Sequence, residues 1–367
     1  MSLLYEMDKQ GLLADKKVLV IDPEEKKSND RTWGFWAEAQ EDFSFKEITY
    51  RQWQYADFLS DDYKDRLDLD PYRYFLIRGI DFYEFVLDKL HQNSHVEFLL
   101  DRVEGVENIN SKVKVTTAQK SFLADYVFDS RFEKTPVSKK DIHLYQPFLG
   151  WVIQTPFAKF DTQKITLFDF TIPQKEHMQF VYVLPFSETE ALVEYTFFST
   201  KIPDIQVFKE GLQHYCANNL QLDKYAILEE EYGVIPMSNH RPKIIDGNIV
   251  KIGTAAGQTK TSTGYTFDNI QRNSQAITQS IKQYKTPLKF KKPSNRFHLY
   301  DSIFMKVIES DEENAHKIFS NLFKKNEANT ILKFLREDSS FIEEFQIMNN
   351  SPKPTFIKAM IQALRRL

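Results

Sequence analysis

The sequence predicts an α/β layer fold, followed by an antiparallel β-sheet and a helical C-terminal region. Over the first 140 residues, helix-like and strand-like segments alternate, and such alternation is typical of a sheet covered by helices. After Lys140 the pattern changes to closely spaced strands joined by short turns, which favours an antiparallel sheet. Beyond residue 297 only helical patterns remain.

The first predicted elements are a helix over residues 2–10, which ends near Gly11, and a strand that begins at Val18. The strand has an uninterrupted apolar run, which suits a buried position in a parallel sheet. Asp22 follows this run directly. The second strand of a dinucleotide-binding fold ends in this way, with an acid that holds a ribose. A strand-ending acid that caps a turn is the alternative.

The later segments follow the same reasoning. Asp81 and Glu84 form a capping-box pattern, which predicts the start of a helix because the two side chains can satisfy first-turn amides reciprocally. Further strands are predicted over residues 96–101, 125–130, 150–155, 164–172, 178–187, 190–199, 233–237 and 249–253. Further helices are predicted over 204–222 and 266–284, with a polar, proline-containing linker over 285–295.

The composition is that of an ordinary soluble globular protein, with 42% hydrophobic and 27% charged residues in a chain of 367. The single cysteine, Cys216, excludes an internal disulfide and fits a reducing compartment. The net charge of -4 gives no general attraction to nucleic acid. No apolar run reaches the ~18 residues of a membrane span. Aromatic residues reach 14%, which fits a Phe-rich core or a cavity for a large apolar or cationic guest.

The segment IGTAAGQTKTSTGYTF, residues 252–267, joins a predicted strand to a predicted helix. The strand ends at Gly253, small residues follow, and Gly264 precedes the helix. Such a loop lets backbone N–H groups approach an anion at a helix N-terminus. Ordinary strand-to-helix connections also contain glycines, so the loop alone leaves both interpretations open.

Five segments occur in a fixed order along the chain. They are NDRTWGFW (29–36), FVYVLPFS (180–187), ALVEYT (191–196), GVIPM (233–237) and the loop at 252–267. Together they resemble the lycopene cyclases of carotenoid biosynthesis, the bacterial β-cyclase type, over nearly the whole chain. The resemblance implies a flavoprotein of the hydroxylase-like fold, with a Rossmann-like FAD-binding domain and an inserted antiparallel sheet.

The resemblance also implies a division of the chain. The FAD-binding domain is expected over residues 1–140 and 233–285, the substrate domain over 141–232, and a helical region over 286–367. Members of the family begin with a strand and a G-x-G-x-x-G loop that cradles the pyrophosphate, and this sequence starts just after the corresponding position. We expect a miscalled start codon rather than a true truncation, because the downstream motifs are intact.

The activity that the resemblance implies is ring closure at the acyclic ends of lycopene, which yields β-carotene without net electron transfer. The implied cofactor is reduced FAD, with NAD(P)H as the expected electron source. Glu194 is the candidate acid. Its side chain is predicted to share a strand face with Leu192 and Thr196. Apolar neighbours would raise its pKa until it holds a proton at neutral pH, whereas a strand acid that reaches solvent is the alternative.

The family carries a second acid directly after this glutamate, and Tyr195 stands there in this sequence. This difference puts a proton relay through a second carboxylate in doubt. The resemblance further implies that Asp22 binds the FAD ribose and that Arg31 lies close to the flavin. Arg78 would neutralise a cofactor phosphate or the reduced flavin, although a surface ion pair explains it as well. The glycines expected along the pyrophosphate or flavin are Gly253, Gly257 and Gly264. We assign no metal site.

Because lycopene partitions into bilayers, the resemblance implies a cytoplasmic protein at the inner face of the membrane. The segment PTFIKAMIQALRRL, residues 354–367, predicts an amphipathic helix with basic charge from Lys358, Arg365 and Arg366. A helix packed on the core is the alternative. Two other classes of protein stay open: another FAD enzyme of the same fold, such as an aromatic hydroxylase or an isoprenoid reductase, and a non-catalytic flavoprotein.

Overall fold

The structure is a computed structural model that describes residues 1–132, 138, 141–291 and 294–364. The helices in these ranges are α1 (Ser2–Lys9), α2 (Gly79–His91), α3 (Ile205–Asn218), α4 (Phe267–Tyr284), α5 (Asn295–Ser310), α6 (Ala315–Lys325), α7 (Ala328–Leu335), α8 (Phe341–Asn350) and α9 (Lys353–Leu364).

The strands in the same ranges are β1 (Val18–Asp22), β2 (Thr32–Glu38), β3 (Arg51–Trp53), β4 (Tyr55–Leu59), β5 (Lys64–Asp68), β6 (Tyr72–Arg78), β7 (Val96–Leu100), β8 (Val103–Ile109), β9 (Lys112–Thr117), β10 (Ser121–Ala124), β11 (Val127–Asp129), β12 (His143–Gln154), β13 (Lys164–Asp169), β14 (Met178–Pro185), β15 (Glu190–Phe198), β16 (Ala226–Ser238), β17 (Ile245–Asp246) and β18 (Ile249–Lys251).

Parallel strands lie next to the first helix of the chain. β1 pairs in parallel with β7, and β11 pairs in parallel with β18. Helices α1 and α4 pack on each other beside these strands. The parallel pairing predicted for β1 is confirmed, but the prediction that β1 is buried is wrong, because Leu19 is 37% exposed. In the described ranges β1 has one strand neighbour, so its surface is only partly covered.

The largest sheet has seven strands in the order β16-β12-β15-β14-β13-β4-β5. Neighbours run antiparallel except β13 and β4, which are parallel. The antiparallel sheet expected after Lys140 is therefore confirmed for its central strands. The sheet extends beyond residues 141–232, because β4 and β5 come from the earlier part of the chain and β16 continues to Ser238. The division into domains stays a prediction.

The two faces of this sheet carry different cores. On one face, side chains such as Phe180, Tyr182 and Leu192 belong to a core that also includes α5, α6 and α7. On the other face, Val193 and Tyr195 pack with α3. Side chains of β15 therefore alternate between the two cores, as its sequence predicts.

Helix α2 begins differently from the sequence prediction. Its N-cap residue is Arg78, which makes no side-chain capping bond, so the capping box of Asp81 and Glu84 is wrong. Asp81 lies inside the first turn and accepts two hydrogen bonds of 2.7 Å from the Arg78 guanidinium. The helix starts three residues earlier, with the Gly79 backbone N–H donating to the Arg31 carbonyl at 2.8 Å. A Cβ at position 79 would lie only 2.8 Å from that carbonyl oxygen.

The described C-terminal residues form helices α5 to α9, as predicted, and they pack against the rest of the chain. The indole Nε1 of Trp36 donates to the Leu332 carbonyl at 3.0 Å, which joins β2 to α7. None of the helices in the described ranges combines the length and apolar character needed to cross a bilayer. Arg365 and Arg366, which belong to the predicted amphipathic segment, lie outside the described residues.

Candidate active site

Four residues on neighbouring strands form a row across one face of the large sheet. Tyr182 of β14 is opposite Glu194 of β15, Glu194 is opposite Gly150 of β12, and Gly150 is opposite Glu231 of β16. Residues that are directly opposite each other in adjacent strands place their side chains on the same face. Gly150 therefore leaves open space between the two carboxyl-bearing side chains.

The lack of a side chain at Gly150 is required by close packing. A Cβ at this position would lie 2.9 Å from Cδ1 of Leu192 and 3.7 Å from Cβ and Cγ of Glu194. The first distance is shorter than real Cβ contacts allow, so a larger residue would displace Leu192. It would also fill the gap that separates Glu194 from Glu231.

A cavity of about 370 Å³ lies over the end of this row that contains Gly150 and Glu231. Its sheet side includes Gly150, Val152, Leu192 and Glu231, and the opposite side includes Thr32, Tyr50 and Arg78. Glu194 follows Leu192 on the same face of β15, two residues farther along the strand. The cavity therefore lies between the large sheet and the small sheet β2-β6-β3.

Glu194 lies deep in the protein, although part of its surface stays accessible. Burial raises the pKa of its carboxyl to about 8, the charge of Glu231 adds to the rise, and a hydrogen bond opposes it. The hydrogen bond comes from the Thr196 hydroxyl, which donates to Oε1 at 2.9 Å. The raised pKa expected from the sequence is confirmed, and Glu194 can hold a proton at neutral pH and donate it.

Three tyrosines interact electrostatically with the acid, and of these Tyr265 is only partly buried. Burial raises the pKa of the phenols of Tyr74, Tyr182 and Tyr265, and the charge of Glu194 raises it further in each case. The pKa of Tyr265 is raised to about 12. The hydroxyl oxygens of Tyr74 and Tyr265 are 3.4 Å apart. The ring of Trp36 meets that of Tyr265 edge-on, with centroids 4.6 Å apart. These neutral aromatic rings give the site faces that can stabilise a cation.

Gly34 makes room for this cluster. A Cβ at Gly34 would lie 2.1 Å from the Tyr74 hydroxyl oxygen. The sequence analysis did not single out Tyr74, Tyr182 or Tyr265 as site residues. Tyr182 and Tyr265 lie within segments that carry the family resemblance, and this position is the sequence feature that could have marked them as site residues.

Glu231 is a second, partly buried acid of the site, and it was not predicted from the sequence. Its Oε1 accepts a hydrogen bond from the backbone N–H of Thr32 at 3.2 Å. Burial raises the pKa of Glu231, whereas Thr32 and the charge of Arg31 lower it. The acidic run LEEEYG ahead of GVIPM was the only signal, and such a run usually marks a solvated strand edge.

The two arginines predicted from the sequence lie close to this site, and each has a carboxylate partner. Arg31 donates to Oδ2 of Asp30 at 3.1 and 2.7 Å. Arg78 pairs with Asp81, and its guanidinium lies 4.1 Å from the centroid of the Tyr50 ring. The ion-pair alternative for Arg78 is therefore realised, while its position on the cavity wall keeps it available to a ligand.

Asp22 lies at the end of β1, as predicted. Its Oδ1 accepts from the backbone N–H of Glu24 at 2.9 Å and lies 3.5 Å from the Lys26 ammonium. One carboxylate oxygen therefore caps the turn, which was the alternative interpretation. The ribose-binding role stays a prediction.

The glycine-containing loop has the backbone shape that its composition predicts. Gly253, Gly257 and Gly264 have φ angles of 62°, 70° and 77°, in the left-handed region that favours glycine. A Cβ at Gly264 would lie 2.0 Å from Oε1 of Gln146, so this glycine is also required for packing on β12.

The same loop carries buried polar groups that lack a partner. Within the described part of the chain, three side-chain atoms of the loop are buried without a hydrogen bond: Nε2 of Gln258, Oγ of Ser262 and Oγ1 of Thr263. Buried polar groups are nearly always hydrogen-bonded in folded proteins. These orphaned groups therefore fit a polar ligand bound against the loop. The described ranges contain no cluster of three or more His, Cys, Asp or Glu that could hold a metal ion.

Solved structures with this fold are flavoproteins and related enzymes. A geranylgeranyl bacteriochlorophyll reductase-like protein from Thermoplasma acidophilum has a TM-score of 0.63 at 14% identity, covering 98% of this chain and 96% of the other. A flavoprotein/dehydrogenase from Cytophaga hutchinsonii has a TM-score of 0.63 at 12% identity, covering 98% and 95%. A variant of halogenase PltM in complex with FAD has a TM-score of 0.59 at 11% identity, covering 97% and 83%. The chain therefore has the Rossmann-like α/β fold of FAD-dependent flavoproteins.

The family follows from a separate comparison. The model of the lycopene cyclase protein family matches residues 9–364, and the chain belongs to that family. No curated protein matches the chain. The family expected from the sequence is confirmed, while the roles of individual residues stay predictions.

Proposed function

We propose that this protein is a lycopene β-cyclase, which closes the acyclic ends of lycopene into β-ionone rings. The observation that carries the proposal is a carboxylic acid with a pKa of about 8, Glu194, which lies two residues along β15 from the cavity wall at Leu192 and interacts electrostatically with three tyrosines. An acid that stays protonated at neutral pH is what protonation of an alkene requires.

The reaction proceeds without a net change in atoms or electrons. Glu194 donates its proton to a terminal double bond, and the resulting tertiary carbocation is attacked by a neighbouring double bond of the same chain. A carbon–carbon bond forms, and the new ring then loses one proton to the Glu194 carboxylate, which yields a neutral product and regenerates the acid. The faces of Tyr74, Tyr182 and Tyr265 support the cation, and burial of the site excludes water that would trap it as an alcohol.

Reduced FAD is the proposed cofactor, with NAD(P)H as its source of electrons. When bound, it supplies negative charge that stabilises a nearby cation. Asp22 would hold its ribose, and Arg31 and Arg78 would balance its charge. The loop would contact it through the backbone of Gly253 and Gly257 and through the orphaned polar groups of Gln258, Ser262 and Thr263.

Product mass distinguishes this function from its rivals. We expect a lycopene-producing host that expresses the chain with bound FAD to accumulate a cyclic product with the same mass as lycopene. A reductase would add hydrogen to its substrate, and a hydroxylase would add oxygen. Chromatography with mass detection separates the three. A product of altered mass, or unchanged lycopene in the presence of flavin-loaded protein, would contradict the cyclase function.

The substrate's membrane solubility leads us to propose peripheral attachment at the inner face of the membrane. Helix α9 exposes Ile357, Met360 and Ile361, while Phe356 packs on the neighbouring core. Helix α8 exposes larger areas of apolar side chain than α9 does. Phe341, Ile342 and Phe345 are 70%, 81% and 72% exposed.

We expect the combined change of Phe341, Ile342 and Phe345 to Ser to abolish most flotation with anionic lipid vesicles, because each exposed side chain adds ~1.5–3 kcal/mol when buried in lipid, which is about tenfold or more in partitioning. The matched control is Phe157→Ser, a change at a residue that is 80% exposed in the loop between β12 and β13. Equal flotation of the triple variant and the unmodified protein would remove α8 from the attachment.

A further inference from the structure

Glu194 and Glu231 form a pair whose geometry has a chemical consequence. The two residues lie on opposite sides of Gly150 in the same row of the sheet. Adjacent strands are about 4.8 Å apart, so the two Cα atoms are roughly 10 Å apart, and both side chains can reach over the intervening glycine. No side chain stands between them in the row, and the charge of Glu231 acts on the Glu194 carboxyl.

We propose that Glu231 is a positioning residue for the reaction, whose carboxylate charge across Gly150 keeps the proton on Glu194. This inference rests on the proposed function, because it concerns the acid that protonates lycopene. The charge comes from β16, which is separated from β15 by β12.

The surroundings of the two groups decide which of them keeps the proton. Glu231 has groups that favour its charged form: the backbone N–H of Thr32 at 3.2 Å and the guanidinium of Arg31, opposed by the charge of Asp30. Two nearby carboxyl groups that are both at least partly buried resist double ionisation. The pair therefore resists a second negative charge. Burial raises the pKa of Glu231, but the Thr32 N–H and the Arg31 charge favour Glu231 as the residue that carries the single charge.

The groups around Glu194 stabilise its carboxylate less than the groups around Glu231 stabilise that of Glu231. The hydroxyl of Thr196 is its hydrogen-bond donor, and the phenols that face it are neutral. Those phenols are Tyr74 from β6, Tyr182 from β14 and Tyr265 from the loop before α4. The other charged groups of the cavity wall are Arg78, Glu190, Glu229 and Glu230.

These contacts determine whether each substitution raises or lowers the pKa of Glu194. A negative charge near an acid disfavours its ionisation, so removal of the Glu231 charge lowers the pKa of Glu194. Removal of the Thr196 hydroxyl acts in the opposite direction, because that hydrogen bond favours the carboxylate. Glu194 is active in its protonated form. This form predominates below the pKa of Glu194 and is lost as the pH rises through that pKa.

The test is an infrared titration of the full chain, which follows the carbonyl band of the protonated Glu194 carboxyl. Loss of the band in Glu194→Gln assigns it. We expect a midpoint at about pH 8 in the unmodified protein. The midpoint should fall in Glu231→Gln and rise in Thr196→Val. In Glu231→Asp, which keeps the negative charge, it should stay closer to that of the unmodified protein. Because this readout needs no catalysis, it is independent of the proposed function.

The rate of cyclisation against pH provides the second readout. In Glu231→Gln we expect the rate above the new midpoint to fall about tenfold for each unit of the shift, and to recover on acidification. An unchanged midpoint in Glu231→Gln, or a loss of rate that is equal at every pH, would overturn the inference. If the band shifts as expected but the unmodified protein makes no cyclic product, the proposed function fails and the interaction of the two acids stands.

Discussion

We expect Glu194→Gln to lower ring formation by ~10²–10⁴-fold, since a general acid contributes about that much to a rate. Gln has the size of Glu and makes similar hydrogen bonds, but it has no carboxylic proton to donate. A host that produces lycopene should therefore stay red with the variant and turn orange-yellow with the unmodified protein. Pigment extraction with chromatography measures the loss directly.

Tyr195→Phe is the matched control for this experiment. Tyr195 is adjacent in sequence but lies on the opposite face of β15, where its hydroxyl donates to Oε1 of Gln179 at 3.1 Å. We expect it to retain cyclisation and to lose about 0.5–1.5 kcal/mol of stability through the missing hydrogen bond. Near-normal cyclic product from Glu194→Gln, with FAD bound, would exclude Glu194 as the proton donor.

We also expect Glu194→Gln to change the pH dependence of the free energy of unfolding. Glu194 has a pKa of about 8 in the folded protein and 4.5 as its ordinary value, so between these values the folded state holds a proton that the unfolded state lacks. The contribution of Glu194 to the free energy of unfolding therefore decreases as the pH rises from about 4.5 to about 8. Glu194→Gln removes this contribution, and its stability relative to the unmodified protein should increase over the same interval.

The role of β15 could be predicted because it depends on a local pattern. Side chains alternate along any strand, so the separation of Glu194 and Thr196 from Val193 and Tyr195 follows from the sequence of β15 alone. The raised pKa of Glu194 follows in turn, since its face of the strand is apolar. The helix α4 and the loop before it were predicted for the same reason: a periodic apolar pattern and glycines are visible within one segment.

The pairing of Glu231 with Glu194 could not be predicted, because it depends on the register of two strands against β12. Register is decided by contacts between segments far apart in sequence, and a shift of one residue would turn Glu231 to the other face. Strands β4 and β5 were missed for a related reason. The segment Lys64–Asp68 is short and mostly charged, and it becomes a strand only because β4 is available as its neighbour.

The loop before α4 is fixed to the C-terminal helices by a buried cation. Lys260 is only 5% exposed, and its ammonium donates to both carboxylate oxygens of Asp301 at 2.9 Å and to Glu337 at 3.1 Å. Burial alone would lower the pKa of Lys260, but the charges of Asp301 and Glu337 outweigh it and the pKa is raised. The lysine is therefore charged, and it neutralises the buried carboxylate of α5.

We expect Lys260→Met to destabilise the protein by about 3–5 kcal/mol, because it leaves the carboxylate of Asp301 buried without a cation. The measurement is the free energy of unfolding from denaturant titration of the full chain. Because Lys260 belongs to the loop that carries Gly257 and Gly264, we also expect weaker retention of FAD, measured by flavin absorbance after gel filtration.

The control for Lys260→Met removes the whole ion cluster. In the triple variant Lys260→Met, Asp301→Leu and Glu337→Gln no buried charge is left without a partner, and replacing a buried ion cluster by neutral groups is often close to neutral for stability. We therefore expect the triple variant to recover most of the stability that the single variant loses. If the single and triple variants are equally unstable, the cost lies in lost packing of the lysine side chain rather than in the unpaired carboxylate. If the single variant is as stable as the unmodified protein, the ion cluster does not hold the loop to α5.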